Sequence, residues 1–207
     1  MIAIFLLSVT LTFADSTQAL YARQDAEGLR QLLSQADTRT ESLMARYRLY
    51  PLTEESDIID DLPQELGPNA SARELALLSG LWAYRAGEAN IFSAIRYGRR
   101  SMNRLEEAKA RNPDEPYVLL VEGQSLLFRP DIAGKDVKAA AELFRRLINV
   151  LESDPDSGIS AVEAHSWLWL ALRESEAVAE ADQIRQDLIA RDPEPLYAQF
   201  LDDPPQV

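Results

Sequence analysis

The sequence has no cysteine and a single histidine, His165, among its 207 residues. The absence of cysteine excludes a disulfide framework, a thiolate metal site and a cysteine nucleophile. A single histidine also excludes zinc and iron sites built from several histidines, and it leaves one candidate for a histidine base. We therefore expect no metal and no other cofactor.

Basic residues are scarce as well. There are 21 Lys and Arg against 34 Asp and Glu, which gives a formal net charge of -13. A nucleic-acid binder needs a basic surface to displace counterions from phosphates, so we expect no nucleic-acid partner. At 46% hydrophobic and 27% charged residues, the composition is that of an ordinary globular chain of one or at most two domains.

Sequence motifs of catalysis are missing too. Gly-x-Ser-x-Gly, His-Glu-x-x-His and glycine-rich phosphate loops do not occur. The run Asp154-x-Asp156-x-Gly158 is similar to the start of a calcium loop. However, His165 is the twelfth residue counted from Asp154, and such a loop needs a bidentate Glu at its twelfth position. We interpret the run as an acidic turn, interpret His165 as a packed or capping residue, and expect no enzymatic activity.

The N-terminal segment 1–14 has no charged residue and is apolar through Phe13. It is shorter than the roughly 20 residues that a membrane-spanning helix needs. It is typical of the apolar part of a secretory signal, with Thr12-Phe13-Ala14 as the cleavage site before Asp15, although a positive region before it is lacking. We predict a soluble periplasmic or secreted protein. A buried first helix and an uncleaved membrane anchor are the alternatives.

Hydrophobic spacing after Asp15 is helical almost throughout and predicts an all-α chain of about eight helices. We expect one domain over 15–201 and a frayed tail over 202–207. The region 50–71, which carries Pro51, Pro63, Gly67 and Pro68, is predicted to be a loop. The predicted helices are 17–36, 38–49, 72–86, 89–111, 115–128, 135–151, 160–173 and 177–191.

Three of these helices end in the same way, at Asn112-Pro113-Asp114, Asp154-Pro155-Asp156 and Asp192-Pro193-Glu194. Proline cannot continue a helix, and it disfavours helical geometry in the residue before it. The prolines recur about every 40 residues, and such a period predicts stacked helical hairpins. The apolar positions expected on the buried face of each second helix are Ile95, Met102 and Leu105; Ala140, Phe144, Leu147 and Leu151; and Ala181, Ile184 and Leu188.

The middle unit has a small residue, Gly123, in its first helix, followed by Ala140, Phe144 and Leu147 in the second and Pro155 after it. Over residues 72–194 the chain thus resembles the tetratricopeptide repeat (TPR), with Gly80 and Ala171 as the matching small residues of the other two units. The resemblance implies a right-handed stack of helical hairpins, a TPR-like α-solenoid. The units exceed the ~34-residue TPR period. They also resemble irregular repeats of exported bacterial proteins, including the accessory component of some periplasmic solute transporters.

The same resemblance points to binding residues. In the TPR family the first helix of each pair lines a concave groove, which here implies Trp82, Glu122 and Trp169 as groove residues, with Tyr84 beside Trp82. Aromatic anchors and a polar group are what a groove needs to hold a chain. Packing alone also explains Trp169, because the run 167–172 is apolar all round its helix.

Arginines form one concentrated basic stripe. Arg96, Arg100 and Arg104 lie at i, i+4 and i+8, with Arg99 beside them. Such a stripe pairs with acidic residues of a neighbouring helix, or else it binds an acidic partner surface or a carboxylate ligand.

Two functions fit these features. The first is a non-enzymatic scaffold that holds a peptide or protein partner in its groove. The second is an accessory subunit of a periplasmic solute transporter, which would capture a small anion near the arginine stripe and associate with a membrane transport complex. A deep closed pocket lined by Arg96 and Arg100 would favour the second function, and an open apolar groove would favour the first.

Overall fold

The computed structural model describes residues 11–207, and every regular element within them is a helix. The all-α class is thereby confirmed. The α-helices are α1 Phe13–Ala22, α2 Ala26–Ser34, α3 Arg39–Thr53, α4 Asp57–Asp60, α5 Ala72–Gly87, α6 Ile91–Arg111, α7 Pro116–Phe128, α8 Val137–Leu151, α9 Ala161–Glu174, α10 Val178–Ala190 and α11 Pro195–Asp202. Short 3-10 turns lie at Asp131–Ala133 and Pro155–Ser157.

Local sequence accounts for where most helices begin and end. Thr12, Thr38 and Ser71 each form a capping box with the acidic residue three positions later, which satisfies free N–H groups of the first turn. At the other end, α6, α8 and α10 stop just before Pro113, Pro155 and Pro193. The three proline stops predicted from the sequence are therefore present in the fold.

The helices pack mainly against their neighbours along the chain. α5 packs on α6, α7 on α8, and α9 on both α8 and α10. The first helices of successive pairs are also in contact, since α5 packs on α7. Helix α5 packs in addition on α3, which precedes the pairs. One continuous hydrophobic core runs from Leu29 in α2 to Leu201 in α11.

Glycine permits the closest helix contacts in this core. A Cβ on Gly123 would lie 2.5 Å from the ring of Phe144, and a Cβ on Gly80 would lie 2.5 Å from the ring of Tyr47. Phe144 is completely buried. The small residue of α7 thus faces the aromatic residue of α8, as the repeat pattern predicts, whereas Gly80 receives an aromatic ring from the preceding helix α3.

The prediction of about eight helices is wrong, because the described residues contain eleven α-helices. The predicted helix 17–36 is broken at Gln24, which has a left-handed φ of 59°, and α2 then starts at a new cap, Asp25. The predicted loop 50–71 contains the short helix α4, and Pro195 starts an additional helix, α11.

Ile95 is a second correction. It was expected on the buried face of α6, yet 53% of its surface is exposed. Leu105, on the same predicted face, is buried. The C-terminal half of α6 is thus covered, and the N-terminal half, where Ile95 lies, is not. The end of the chain carries one further contact, since Val207 packs partly buried against the core.

We expect Phe144→Ala to lower the free energy of unfolding by roughly 3–5 kcal/mol, because it removes a fully buried ring and leaves a cavity. Gly123→Ala should also destabilise, by about 1–3 kcal/mol, because the new methyl group meets that ring. Gly98→Ala is the matched control, since a Cβ there meets nothing within 4 Å and alanine favours the helix. Urea unfolding measures all three, and equal effects of the two glycine variants would contradict the packing.

Candidate functional site

Helix α6 is the least covered of the long helices. Asn90 caps its start by accepting a hydrogen bond from the backbone N–H of Ser93. Its buried residues are Ser101, Leu105 and Ala108, all in the second half of the helix. α6 packs closely on α5 and only marginally on α7, whereas α8 packs closely on helices at both sides. The first half of α6 therefore has a side that faces solvent.

Large apolar side chains lie on this exposed side. The exposed fractions are 72% for Ile91, 84% for Phe92 and 53% for Ile95. Single exposed apolar residues are ordinary, but three within five residues of one helix make this the candidate interaction surface.

Arginines follow these apolar residues along two neighbouring rows of side chains on α6. Ile91, Ile95 and Arg99 follow each other at i, i+4 and i+8, and so do Phe92, Arg96 and Arg100. We call these six residues the α6 face.

The arginines of the α6 face make no ion pair. Within residues 11–207, no carboxylate lies within 4.0 Å of a guanidinium nitrogen of Arg96, Arg99 or Arg100. Arg104 differs, because it pairs with Glu107 one turn on at 2.9 Å. Pairing with a neighbouring helix, the first alternative for this stripe, is therefore not found at these three positions.

Aromatic rings hold two of these arginines instead. The guanidinium carbon of Arg100 lies 4.9 Å from the centroid of the Trp82 ring, and that of Arg96 lies 4.9 Å from the Tyr97 ring. The two rings contact each other at 5.3 Å, and Arg85 lies over both. Arg96 also donates one N–H to the hydroxyl of Tyr97 at 3.2 Å. Stacking keeps a guanidinium charged and leaves its remaining N–H groups for a further acceptor.

Trp82 itself is not on the surface. It is 2% exposed, and its indole N–H donates to the backbone carbonyl of Pro63 at 3.3 Å. The loop before α5 and the arginine of α6 cover the indole, so its role in the structure is to support the α6 face from beneath.

The other predicted groove residues lie in separate places. Tyr84 stacks on Tyr47 and Tyr50, with centroids 5.5 and 5.0 Å apart. Glu122 forms an ion pair with Lys109 at 2.6 Å. Trp169 is buried, with 4% of its surface exposed. The structure thus brings Trp82, Arg96 and Arg100 together but leaves Tyr84, Glu122 and Trp169 outside this group.

A buried ion pair joins helices α3 and α9. Arg48 of α3 and Glu163 of α9 are 1% and 2% exposed, and their two hydrogen bonds measure 2.5 and 2.9 Å. Arg48 also donates to the carbonyl of Gly158 at 3.0 Å, and the hydroxyl of Tyr197 in α11 lies 3.4 Å from Glu163. Both charges are engaged within the chain.

Tyrosine rings and helix α1 cover this ion pair. The rings of Tyr21, Tyr47 and Tyr117 lie 4.7, 5.6 and 5.6 Å from the guanidinium carbon of Arg48. Burial disfavours the phenolate and raises the pKa of Tyr21 to about 12. Tyr21 belongs to α1, which packs on α3, on α11 and on the 3-10 turn Pro155–Ser157. Helix α1 therefore covers the ion pair at this position.

His165 makes a local contact. Its Nδ1 lies 2.7 Å from the carbonyl oxygen of Ala161, one turn earlier in α9. Within residues 11–207 no cluster of three or more histidine and acidic side chains is arranged to hold a metal ion. No helix in that range is long and apolar enough to cross a membrane.

Comparison with known proteins gives no relative. No protein-family model, no curated protein and no solved structure matches this chain.

The apolar half of the α6 face was missed by sequence reasoning. Adjacent apolar residues such as Ile91 and Phe92 fit within one buried helix stripe, so the sequence alone gives no signal that both are exposed. The ion pair of Arg48 and Glu163 joins residues 115 positions apart and has no local signal.

We expect Arg48→Met to cost about 3–5 kcal/mol of folding free energy, because it leaves the carboxylate of Glu163 buried without a counter-charge. Adding Glu163→Leu should recover much of that loss, since the unpaired charge is then removed. Chemical denaturation of the single and double variants tests this. A double variant that is less stable than Arg48→Met would contradict it.

Proposed function

We propose that the protein is a non-enzymatic, TPR-like α-solenoid scaffold that binds a protein partner. The consecutive helix pairs and the contact of Gly123 with Phe144 support the repeat assignment. They are what the repeat needs, because each pair covers its apolar face only by stacking on the next.

The α6 face carries the proposal of binding. A Phe and two Ile side chains that stay in water cost free energy, which a partner surface recovers by covering them. Arginines without ion pairs beside them supply charge-assisted hydrogen bonds and set the direction of binding. This face replaces the concave groove as the proposed site, because Trp82 and Trp169 are buried.

A protein partner fits this face better than a small anion does. Arg96 and Arg99 are exposed on the side of a helix, next to equally exposed apolar side chains. A small carboxylate would use the arginines but leave Phe92 and Ile91 in water. Membership of a transport complex remains compatible with this proposal, with a protein subunit as the partner.

Export is part of the proposal, and it rests on the apolar segment 1–14, of which residues 1–10 lie outside the described residues. We expect the mature chain to begin at Asp15. Cleavage there would remove the cap Thr12 together with Phe13 and Ala14, which pack against the core. N-terminal sequencing of natively produced protein tests this, and an intact Met1 in a soluble cytosolic fraction would contradict it.

The binding test compares three baits in a lysate of the source cells. The wild type should enrich a partner, and Arg96→Glu/Arg99→Glu should enrich it at least ~10-fold less, because two contact charges are reversed. Arg23→Glu/Arg111→Glu is the matched control. It changes the net charge equally, at exposed arginines outside the α6 face.

Melting temperatures must stay equal across these baits, since all four positions are exposed. Equal enrichment by both double variants would overturn the assignment of the α6 face as the binding surface.

A further inference from the structure

Helix α6 is much longer than the helix that follows it. α6 has 21 residues and α7 has 13. Met102, nine residues before the end of α6, contacts Ser125, nine residues after the start of α7, so the two helices run antiparallel. Beyond this contact α6 continues for eleven residues and α7 for three. The first half of α6 therefore extends eight residues past the end of α7, which is about 12 Å at ~1.5 Å per residue.

This extension of α6 is apolar on the side that α7 covers further along. Ile91, Ile95, Gly98 and Met102 follow one another at i, i+4, i+7 and i+11, which places them in one row of the helix. Met102 contacts α7, whereas Ile91 and Ile95 are exposed. A Cβ on Gly98 would meet no atom of residues 11–207 within 4 Å. We call the open space beside Ile91, Ile95 and Gly98, beyond the end of α7, the α6 notch.

A helix is the element that fits the α6 notch. Helix α9, which follows α8 as α7 follows α6, is nearly as long as α8 and packs closely on it. A helix of about eight residues, set end to end with α7, would give the first half of α6 the same cover. An extended segment would find no backbone partners on the side of α6, whereas a helix satisfies its own N–H and C=O groups.

Charge decides which helix the α6 notch accepts. Arg96 and Arg99 lie along α6 nearer to α7, and no carboxylate of residues 11–207 pairs with either of them. Ile91 and Phe92 lie further from α7. A helix that continues the direction of α7 therefore needs carboxylates in its first turns and apolar side chains in its later turns. The helix dipole also favours carboxylates near a helix N-terminus.

We propose that the α6 notch takes a helix of a partner protein, acidic in its first turns and apolar in its later turns, which docks antiparallel to α6. Its apolar side chains cover Ile91, Phe92 and Ile95, and its carboxylates pair with Arg96 and Arg99. This inference rests on the proposed function, because it names the kind of partner that the same face binds.

An anionic membrane fits this surface less well. Segments that bind acidic lipids carry clusters of about 4–8 basic residues. The α6 face has three arginines, in a chain whose net charge of -13 opposes approach to a negative surface. A lipid surface would also leave the space beside the end of α7 unfilled.

Fluorescence anisotropy of a labelled synthetic helix tests the proposal. The probe is an alanine-based peptide of about 16 residues, long enough to form a helix on its own. It carries three Glu at i, i+3 and i+4 in its first half and three Leu seven positions later on the same side. The control peptide has the same composition, with the three Glu on the opposite side. The full-length protein should bind the probe at least ~10-fold more tightly than the control peptide.

Two variants of the protein separate shape from charge. Gly98→Trp should weaken probe binding at least ~10-fold, because its ring fills the α6 notch, whereas Gly98→Ala adds one methyl group and should bind as the wild type does. Arg96→Glu/Arg99→Glu should weaken binding as much, and it should instead prefer a peptide in which Lys replaces Glu. Melting temperatures should not fall, because a Cβ at Gly98 meets no atom of residues 11–207 within 4 Å and both arginines are exposed.

Three results would overturn the inference. The first is equal binding of the probe and the control peptide. The second is the absence of probe binding at a protein concentration of about 1 mM. The third is undiminished binding of the probe by folded Gly98→Trp.

Failure of this inference is distinguishable from failure of the proposed function. A cellular partner that is lost with Arg96→Glu/Arg99→Glu but kept by Gly98→Trp retains the α6 face as a binding surface and overturns the helix in the notch. Self-association of the wild type in sedimentation, lost in Gly98→Trp, would overturn a separate partner protein in favour of a second copy. Binding to vesicles of anionic phospholipid, lost in the arginine variant, would overturn both the helix and the protein partner.

Discussion

The buried ion pair between Arg48 and Glu163 is the constraint on which the arrangement of the helices depends. Moving two charges out of water costs several kcal/mol for each ion, and only close pairing with further hydrogen bonds offsets that cost. Here Arg48 also donates to the carbonyl of Gly158, and the hydroxyl of Tyr197 lies near Glu163, whereas Nε of Arg48 is buried without a hydrogen-bond partner within residues 11–207. The two charges lie 115 residues apart in the sequence. A motion that separates α3 from α9 would leave each charge in an apolar interior without its counter-charge. The pair therefore fixes both ends of the chain to one geometry, and α1 and α11 close around it.

This closure determines which surface is left for binding. Tyr21 and the rest of α1 cover the ion pair, so this part of the helix array is closed by the chain itself. The first half of α6 keeps a solvent-facing side because α6 packs closely on α5 but only marginally on α7. Trp82 links the two regions, since it is buried in the core and stacks beneath Arg100. A rigid interior thereby holds an exposed face in a fixed orientation, which lowers the entropic cost of binding.

Features that depend on neighbouring residues in the sequence could be predicted. Capping residues and prolines placed the ends of α6, α8 and α10, and the pair of Gly123 and Phe144 placed one repeat in register. Features that depend on contacts between distant parts of the chain could not be predicted. Ile95 has helical spacing that suits burial, but the neighbouring helices do not reach it. Gln24 breaks a helix in a left-handed conformation that glycine would normally signal. For the site, Arg96 and Arg100 were found as a basic stripe, whereas the burial of Trp82 and the exposure of Phe92 follow from tertiary packing alone.

Ten of the 21 Lys and Arg side chains make no ion pair within residues 11–207, and three of these ten, Arg96, Arg99 and Arg100, lie together on the α6 face. Copies with a net charge of -13 repel each other at long range, but ions at physiological strength screen that repulsion beyond about 8 Å. Contact is then decided by the charges that touch. The α6 face presents positive charge, so an acidic partner surface that reaches it meets charge of the opposite sign. The arginines beside Ile91 and Phe92 disfavour contact with basic surfaces, so charge as well as apolar contact selects the partner of this face.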